Sequence, residues 1–276
     1  MRFGISTFVT DKGIRPDRLG AALEERGFTS LFLAEHSHIP ASRESPYPGG
    51  GDLPSVYYRT LDPFVALTAA AVVTEKLTLG TGIALVPQRD LIHLAKESAS
   101  LDLVSGGRLA LGVGVGWNRE EMSNHGVDPT TRGALMNEQL AAIKEIWTKE
   151  QAEYHGQHVD FDPIFAWPKP VRQPHPPIYI GGESKAALER LRDLGDAWLP
   201  RSNTSPEELT RVRGWLADNG RSDVTFTIFG ARADEAAIAS YAQAEVEEVT
   251  FLLPTRPEAE TLAKLDEFAA VISKVG

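Results

Sequence analysis

Short apolar runs alternate with longer amphipathic ones along almost the whole chain. The short runs are Arg2 to Ser6, Ser30 to Ala34, Leu77 to Gly82, Leu109 to Val115, Ile178 to Ile180, Ala197 to Leu199, Val224 to Phe229 and Val249 to Leu253. They read as strands because they are rich in apolar and β-branched residues and bounded by turn residues. The longer runs carry helix punctuation. Pro16 opens one, Asp62-Pro63 supplies a cap and a first helical residue, and Ser205-Pro206-Glu207-Glu208 reads as a capping box with proline at its first position. The run from Leu91 to Val104 stops at Ser105-Gly106-Gly107, where glycine can take the left-handed conformation of a helix end. Further helical runs cover Arg132 to Trp147, Lys185 to Leu194, Glu235 to Gln243 and Pro257 to Ser273.

Strands alternating with helices imply a parallel sheet, because each crossover must return the chain along a face of that sheet. Eight such units predict an α/β fold of the (β/α)8 TIM-barrel class, one domain over residues 1–276. An open doubly wound sheet is the rival. Its Gly-rich fingerprint would follow the first strand, where Thr7-Phe8-Val9-Thr10 stands instead. Two insertions break the rhythm. After strand two, Glu35 to Leu61 contains Tyr47-Pro48-Gly49-Gly50-Gly51 and is expected to cover the catalytic face as a lid. Before strand five, Thr148 to Pro177 holds a short hairpin about His155-Gly156 and then the extended, proline-rich stretch from Trp167 to Pro177.

Composition narrows the function. A net charge of −10 and a pI near 5.2 argue against a nucleic-acid binder and for a small-molecule substrate. The absence of cysteine rules out disulfides, thiolate metal sites and a Cys nucleophile. His36 and His38 have no obvious further ligands, so no metal is expected. The segment Met1 to Ser6 does not read as a signal peptide, and the apolar stretch Phe64 to Val73 is too short to span a bilayer. A cytoplasmic protein without membrane partners is expected.

A barrel keeps its chemistry just past the carboxyl ends of its strands. Strand two exits through Ala34-Glu35-His36-Ser37-His38, which makes Glu35 and His36 the candidate catalytic pair. Histidine exchanges protons near neutrality, and an adjacent carboxylate can hold its tautomer. A satisfied loop histidine explains the same letters. Strand three runs into "LGTGIALVPQRD", with Gly80 and Gly82 where branched side chains would pack better. Strand four places Gly112, Gly114 and Gly116 at alternate positions, clearing one face for a flat ring or for close packing of the barrel interior. Trp117 walls a pocket or fills core, and Asn118 with Glu121 reads as a capping box. After strand five, Gly181-Gly182-Glu183-Ser184 forms either a phosphate site of free backbone N–H groups or a plain helix cap.

Taken together, "SLFLAEHSHIP", "LDPFVALTAAAVVTEKLTLGTGIALVPQRD", "AKESASLDLVSGGRLALGVGVGWNREEMSNHG" and "PKPVRQPHPPIYIGGESKAALERLRDLGDAWLP" span about the first 200 residues. In that order they resemble the bacterial luciferase-like monooxygenase family, more closely its branch that uses the 8-hydroxy-5-deazaflavin coenzyme F420. The resemblance implies an oxidoreductase moving a hydride between F420 and an unidentified organic substrate. It implies a non-prolyl cis peptide at Gly82-Ile83, in a bulge backing the central ring. Glu35 and His36 would then stand at the ring edge with His36 as acid or base, Gly114, Gly116 and Trp117 beside the ring, and Gly181, Gly182 and Ser184 at the coenzyme phosphate. Arg43, Arg59, Arg89 and Lys185 are available to the coenzyme tail. Glu at position 35, where several deazaflavin relatives carry Asp, also occurs among flavin users. The alternative is therefore a monooxygenase on reduced FMN, and a second alternative a non-catalytic flavin- or deazaflavin-binding barrel. Relatives often pair, so a homodimer through the alanine-rich helix after Asp62 is expected.

Overall fold

The eight strands read from the sequence pair side by side in parallel and close a ring. The computed structural model describes residues 1–275. The ring runs through β1 (Arg2–Thr7), β2 (Ser30–Leu33), β3 (Thr78–Thr81), β5 (Leu109–Gly114), β8 (Ile178–Gly181), β9 (Ala197–Leu199), β10 (Thr225–Ala231) and β11 (Glu248–Leu252), with β3 bonded to β5 and β11 to β1. A two-residue strand, β4 (Ala84–Leu85), resumes the third stave beyond Gly82-Ile83 and also pairs with β5. Parallel pairing sends every carboxyl end to one rim.

The helices are α1 (Pro16–Glu25), α2 (Pro63–Ala71), α3 (Leu91–Ser105), α4 (Arg119–Asn124), α5 (Arg132–Thr148), α6 (Lys185–Leu194), α7 (Pro206–Asp218), α8 (Glu235–Gln243) and α9 (Glu258–Val275). Their starts follow the sequence signals. Asp62 accepts the Val65 N–H at 3.0 Å and Ser205 accepts the Glu208 N–H at 3.2 Å, each satisfying a donor that the first turn leaves free. Gly106, at φ 67°, closes α3. Most buried apolar side chains form one cluster that takes in strands and helices. A second cluster, Phe32, Ala110, Tyr179, Ala197 and Leu199, draws on staves from opposite sides of the ring and therefore fills its interior.

The insertion before β8 is the expected hairpin, β6 (Gln151–His155) and β7 (Asp160–Phe165), followed by the proline run. Glu138 of α5 accepts the N–H groups of Gln157, His158 and Val159 at 3.1, 2.7 and 2.9 Å, which fixes the hairpin tip. Asp102 of α3 holds the run by accepting the N–H groups of Val171 and Arg172. Among the described residues no helix is long and apolar enough to cross a membrane.

Candidate active site

His36 stands where the chain leaves β2, its side chain only 6% exposed. Its Nδ1 lies 2.8 Å from Oε2 of Glu121, a carboxylate with no exposed surface. The other carboxylate oxygen accepts the Ser37 backbone N–H at 3.0 Å. A carboxylate is an acceptor only, so the short contact makes Nδ1 the protonated nitrogen and leaves Nε2 as the free lone pair. Nε2 has no hydrogen-bond partner among the described residues. Glu121 comes from α4, whose first turn is set by Asn118 accepting the Glu121 N–H at 3.1 Å. The capping box is thus only half formed: the Glu121 side chain turns to His36 instead of back to Asn118.

Glu35, next in the chain, does something else. Consecutive side chains of an extended segment point to opposite sides, so Glu35 cannot orient the imidazole beside it. Its Oε2 accepts the Leu85 N–H at 2.7 Å and its Oε1 accepts from Nε of Arg89 at 2.7 Å. Arg89 also donates to Asp62 and Glu97 and lies 4.8 Å from the centroid of the Phe64 ring. Burial disfavours this guanidinium cation, but Glu35 and then Asp62 outweigh it, and the net shift raises the Arg89 pKa. Glu35 and Arg89 together fasten the segment that follows the bulge.

The Gly82-Ile83 peptide is cis, as the resemblance implied. The glycines around it meet protein atoms. A Cβ on Gly80 would strike the Phe32 ring at 2.3 Å, one on Gly82 the Phe229 ring at 2.4 Å, and one on Gly112 the Thr81 carbonyl oxygen at 1.9 Å. Gly114 and Gly181 form a notch for Ile83, whose methyl groups would lie 1.9 and 2.9 Å from added Cβ atoms. Of the two readings of this glycine pattern, close interior packing accounts for these contacts.

The lid folds over His36. Tyr57, in a short 3-10 turn at Ser55–Tyr58, has its ring centroid 5.2 Å from that of His36, and Trp117 lies 5.7 Å from His36 on another side. Tyr47 completes the cluster at 5.3 Å from Tyr57 and 6.2 Å from Trp117. Burial, then the Tyr47 hydroxyl, push the Tyr57 phenol well above its ordinary pKa, so it stays neutral. The lid is pinned on one side where Leu61 N–H donates to the Val9 carbonyl, and on the other by hydrogen bonds between Ser45 and Glu120 of α4.

Among the described residues, two buried amides beside this cluster lack partners: neither the nitrogen nor the oxygen of the Gln88 side chain is hydrogen-bonded, nor is Nδ2 of Asn118. Nε2 of Gln88 lies 3.3 Å from where a Cβ on Gly116 would stand, and Asn118 follows two residues on. Buried polar groups in native folds are normally paired, with protein or with ordered water.

A sequence model of the luciferase-like monooxygenases matches residues 14–274. The chain belongs to the luciferase-like monooxygenase family. This luciferase-like chain is 36% identical over 280 residues to an uncharacterized protein of Mycobacterium tuberculosis, covering 99% of both. It is 31% identical over 163 residues to an FMNH2-dependent dimethylsulfone monooxygenase of Pseudomonas putida, which takes in 57% of this chain and 44% of that one. Its fold is similar to that of an F420-dependent secondary alcohol dehydrogenase solved with an F420-acetone adduct, at TM-score 0.78, 16% identity and full coverage of both chains.

Within this luciferase-like barrel, His36, Trp117, Gly116 and the Gly82-Ile83 bulge gather at one rim. Gly181 and Gly182 lead into α6, where Ser184 accepts the Ala187 N–H at 3.2 Å as a helix cap. Gly182, at φ 97°, accepts from the Trp198 indole at 2.9 Å, and Glu183 pairs with Arg201 at 2.8 Å. Of the basic candidates, Arg59 pairs with Asp11 and Lys185 lies near Glu189. Sequence reasoning missed Glu121 as the partner of His36 and Gln88 as an orphan amide; Arg201, just past the strand Ala197–Leu199, was not singled out either.

Proposed function

We propose that this chain is an F420-dependent oxidoreductase that moves a hydride between the deazaflavin and a small organic substrate at the carboxyl-end rim of the barrel. The observation that carries the reading is the His36–Glu121 pair, a buried imidazole held by a carboxylate with one nitrogen left free. The orphan amides of Gln88 and Asn118 fit a fused ring edged with carbonyl and N–H groups. Leaving such groups unpaired costs about 1–3 kcal/mol each. When bound, the coenzyme supplies the two-electron transfer, and the protein supplies position and a proton route. Nε2 of His36 takes or gives the substrate proton, and Glu121 stabilises the imidazolium that forms. Trp117 and Tyr57 pack against the His36 ring, and Tyr47 packs on both of them. Glu35 and Arg89 hold the Leu85–Arg89 segment, and with it Gln88, in place. The turn from Gly181 to Ser184 would receive the coenzyme phosphate, with Arg201 beside it.

A monooxygenase on reduced FMN is the second reading, favoured by the identity to the Pseudomonas putida enzyme. The rings differ at position five, and carbon there does not support ready oxygen chemistry. Absorbance and fluorescence titration of the purified protein with F420 and FMN, each oxidised and reduced, separates them. Saturable F420 binding is expected; tight FMN binding with no response to F420 overturns the proposal.

A further inference from the structure

We infer that Ser37 is a proton relay joining the buried His36–Glu121 pair to solvent, with His125 and His38 at its outer end; the inference rests on the acid–base role proposed for His36. Three side chains converge on the Ser37 hydroxyl. Its Oγ lies 3.4 Å from Oε1 of Glu121, 2.7 Å from Nε2 of His125 and 2.9 Å from Nδ1 of His38. Beyond Glu121, at 2.8 Å, is Nδ1 of His36.

The donor and acceptor count closes. A hydroxyl has one proton and two lone pairs. With its proton toward the Glu121 carboxylate, Oγ accepts from His125 and from His38. Nε2 of His38 is then an acceptor, and the Asn124 side-chain amide stands 2.9 Å from it to donate. In this resting arrangement each ring nitrogen has one role, and outward transfer uses the other tautomer of His125, with Nε2 as the acceptor.

Burial gives the arrangement its direction. Glu121 has no exposed surface, whereas Ser37 and His125 are exposed. The path therefore passes from sealed interior to water across one side chain. A purely structural role needs less: the Ser37 backbone N–H already anchors Glu121 at 3.0 Å without the hydroxyl. Histidine is the side chain suited to exchanging protons with neutral water, and two of them meet at this oxygen.

Each transfer conserves protons. Outward transfer starts from the His36 imidazolium that forms when Nε2 takes a proton: the Nδ1 proton passes to Glu121, leaving the neutral Nε2–H ring, and the carboxyl group turns to present it from Oε1. Ser37 takes that proton as it releases its own to Nε2 of His125, which is then in its Nδ1–H tautomer, and water takes the proton from the exposed ring. Inward transfer reverses each step. The net change is one proton exchanged between His36 and solvent, with Glu121 and Ser37 restored.

The test needs no coenzyme. In protein with 15N-labelled histidine, the solvent exchange of the His36 Nδ1–H is read by saturation transfer from water. Ser37→Ala, which keeps the backbone anchor, is expected to slow exchange about tenfold or more, and Ser37→Thr to restore it. The double variant His38→Gln/His125→Gln is expected to slow it less, because Ser37 itself reaches water. Exchange at the wild-type rate in Ser37→Ala overturns the relay. Failure of the wild type to bind F420 or FMN sinks the oxidoreductase reading instead, and leaves the exchange result standing.

Discussion

Glu248, at the amino end of the barrel, and Glu121, at the carboxyl end, are both buried carboxylates, and their surroundings use them in opposite ways. Glu248 accepts from the Thr29 and Ser30 hydroxyls at 2.9 and 2.7 Å and from Arg2 at 3.4 Å. Burial, and then Glu248, push the nearby Tyr179 phenol up to about 12, so it too stays neutral. Glu121 instead faces a titratable ring that keeps one nitrogen free, beside amides with no partners. The same chemical group closes a structure at one end and holds a reactant at the other. What separates them is whether the partners are themselves satisfied.

Substitutions sharpen that contrast, and the largest effect belongs to the rim. His36→Gln is expected to lower turnover about 10²- to 10⁴-fold, measured on the hydride acceptor that the wild type reduces fastest. The melting temperature and coenzyme affinity stay near wild type. Equal turnover would reduce His36 to a loop residue. At the other end, Glu248→Ala leaves the buried Ser30 hydroxyl without its acceptor and is expected to lose about 2 kcal/mol in urea unfolding, with coenzyme binding intact. A loss of binding there would erase the distinction between the ends. Gly114→Ala forces Ile83 out of its notch, and a stability loss of about 1 kcal/mol with weakened ring binding is expected.

The smallest effect is one of pH. Burial would raise the Glu24 pKa, but the N–H groups of Glu75, Lys76 and Leu77 outweigh it and hold the carboxyl below its ordinary 4.5. A group lowered on folding stabilises the native state above its unfolded pKa, and that contribution is lost as pH falls through the folded value. Thermal melts across this acid range should therefore show a shallower loss for Glu24→Gln than for wild type. Identical slopes would mean that the contact contributes nothing.

The barrel was legible because strand and helix periodicities differ and each crossover carries its own caps. Stave boundaries were read to within a residue or two: β3 stops at Thr81 and the chain resumes at Ala84, where the sequence suggested one run to Gly82. The insertions were legible as excess length, and the hairpin formed about His155-Gly156 as expected. The site was only partly legible. Adjacency in sequence suggested Glu35 as the partner of His36, whereas a strand end sends neighbours apart, and the carboxylate that reaches the ring lies 85 positions away. No local pattern reports such a contact. Nor does any report an orphan amide, since Gln88 and Asn118 look like ordinary polar residues until the fold buries them.

Ile83, seated between Gly114 and Gly181 and packed on the side chains that fill the barrel, means that a replaceable side chain helps set how high that filling reaches toward the rim. Exchanges at those three positions are expected to regrade that height while the staves stay as they are.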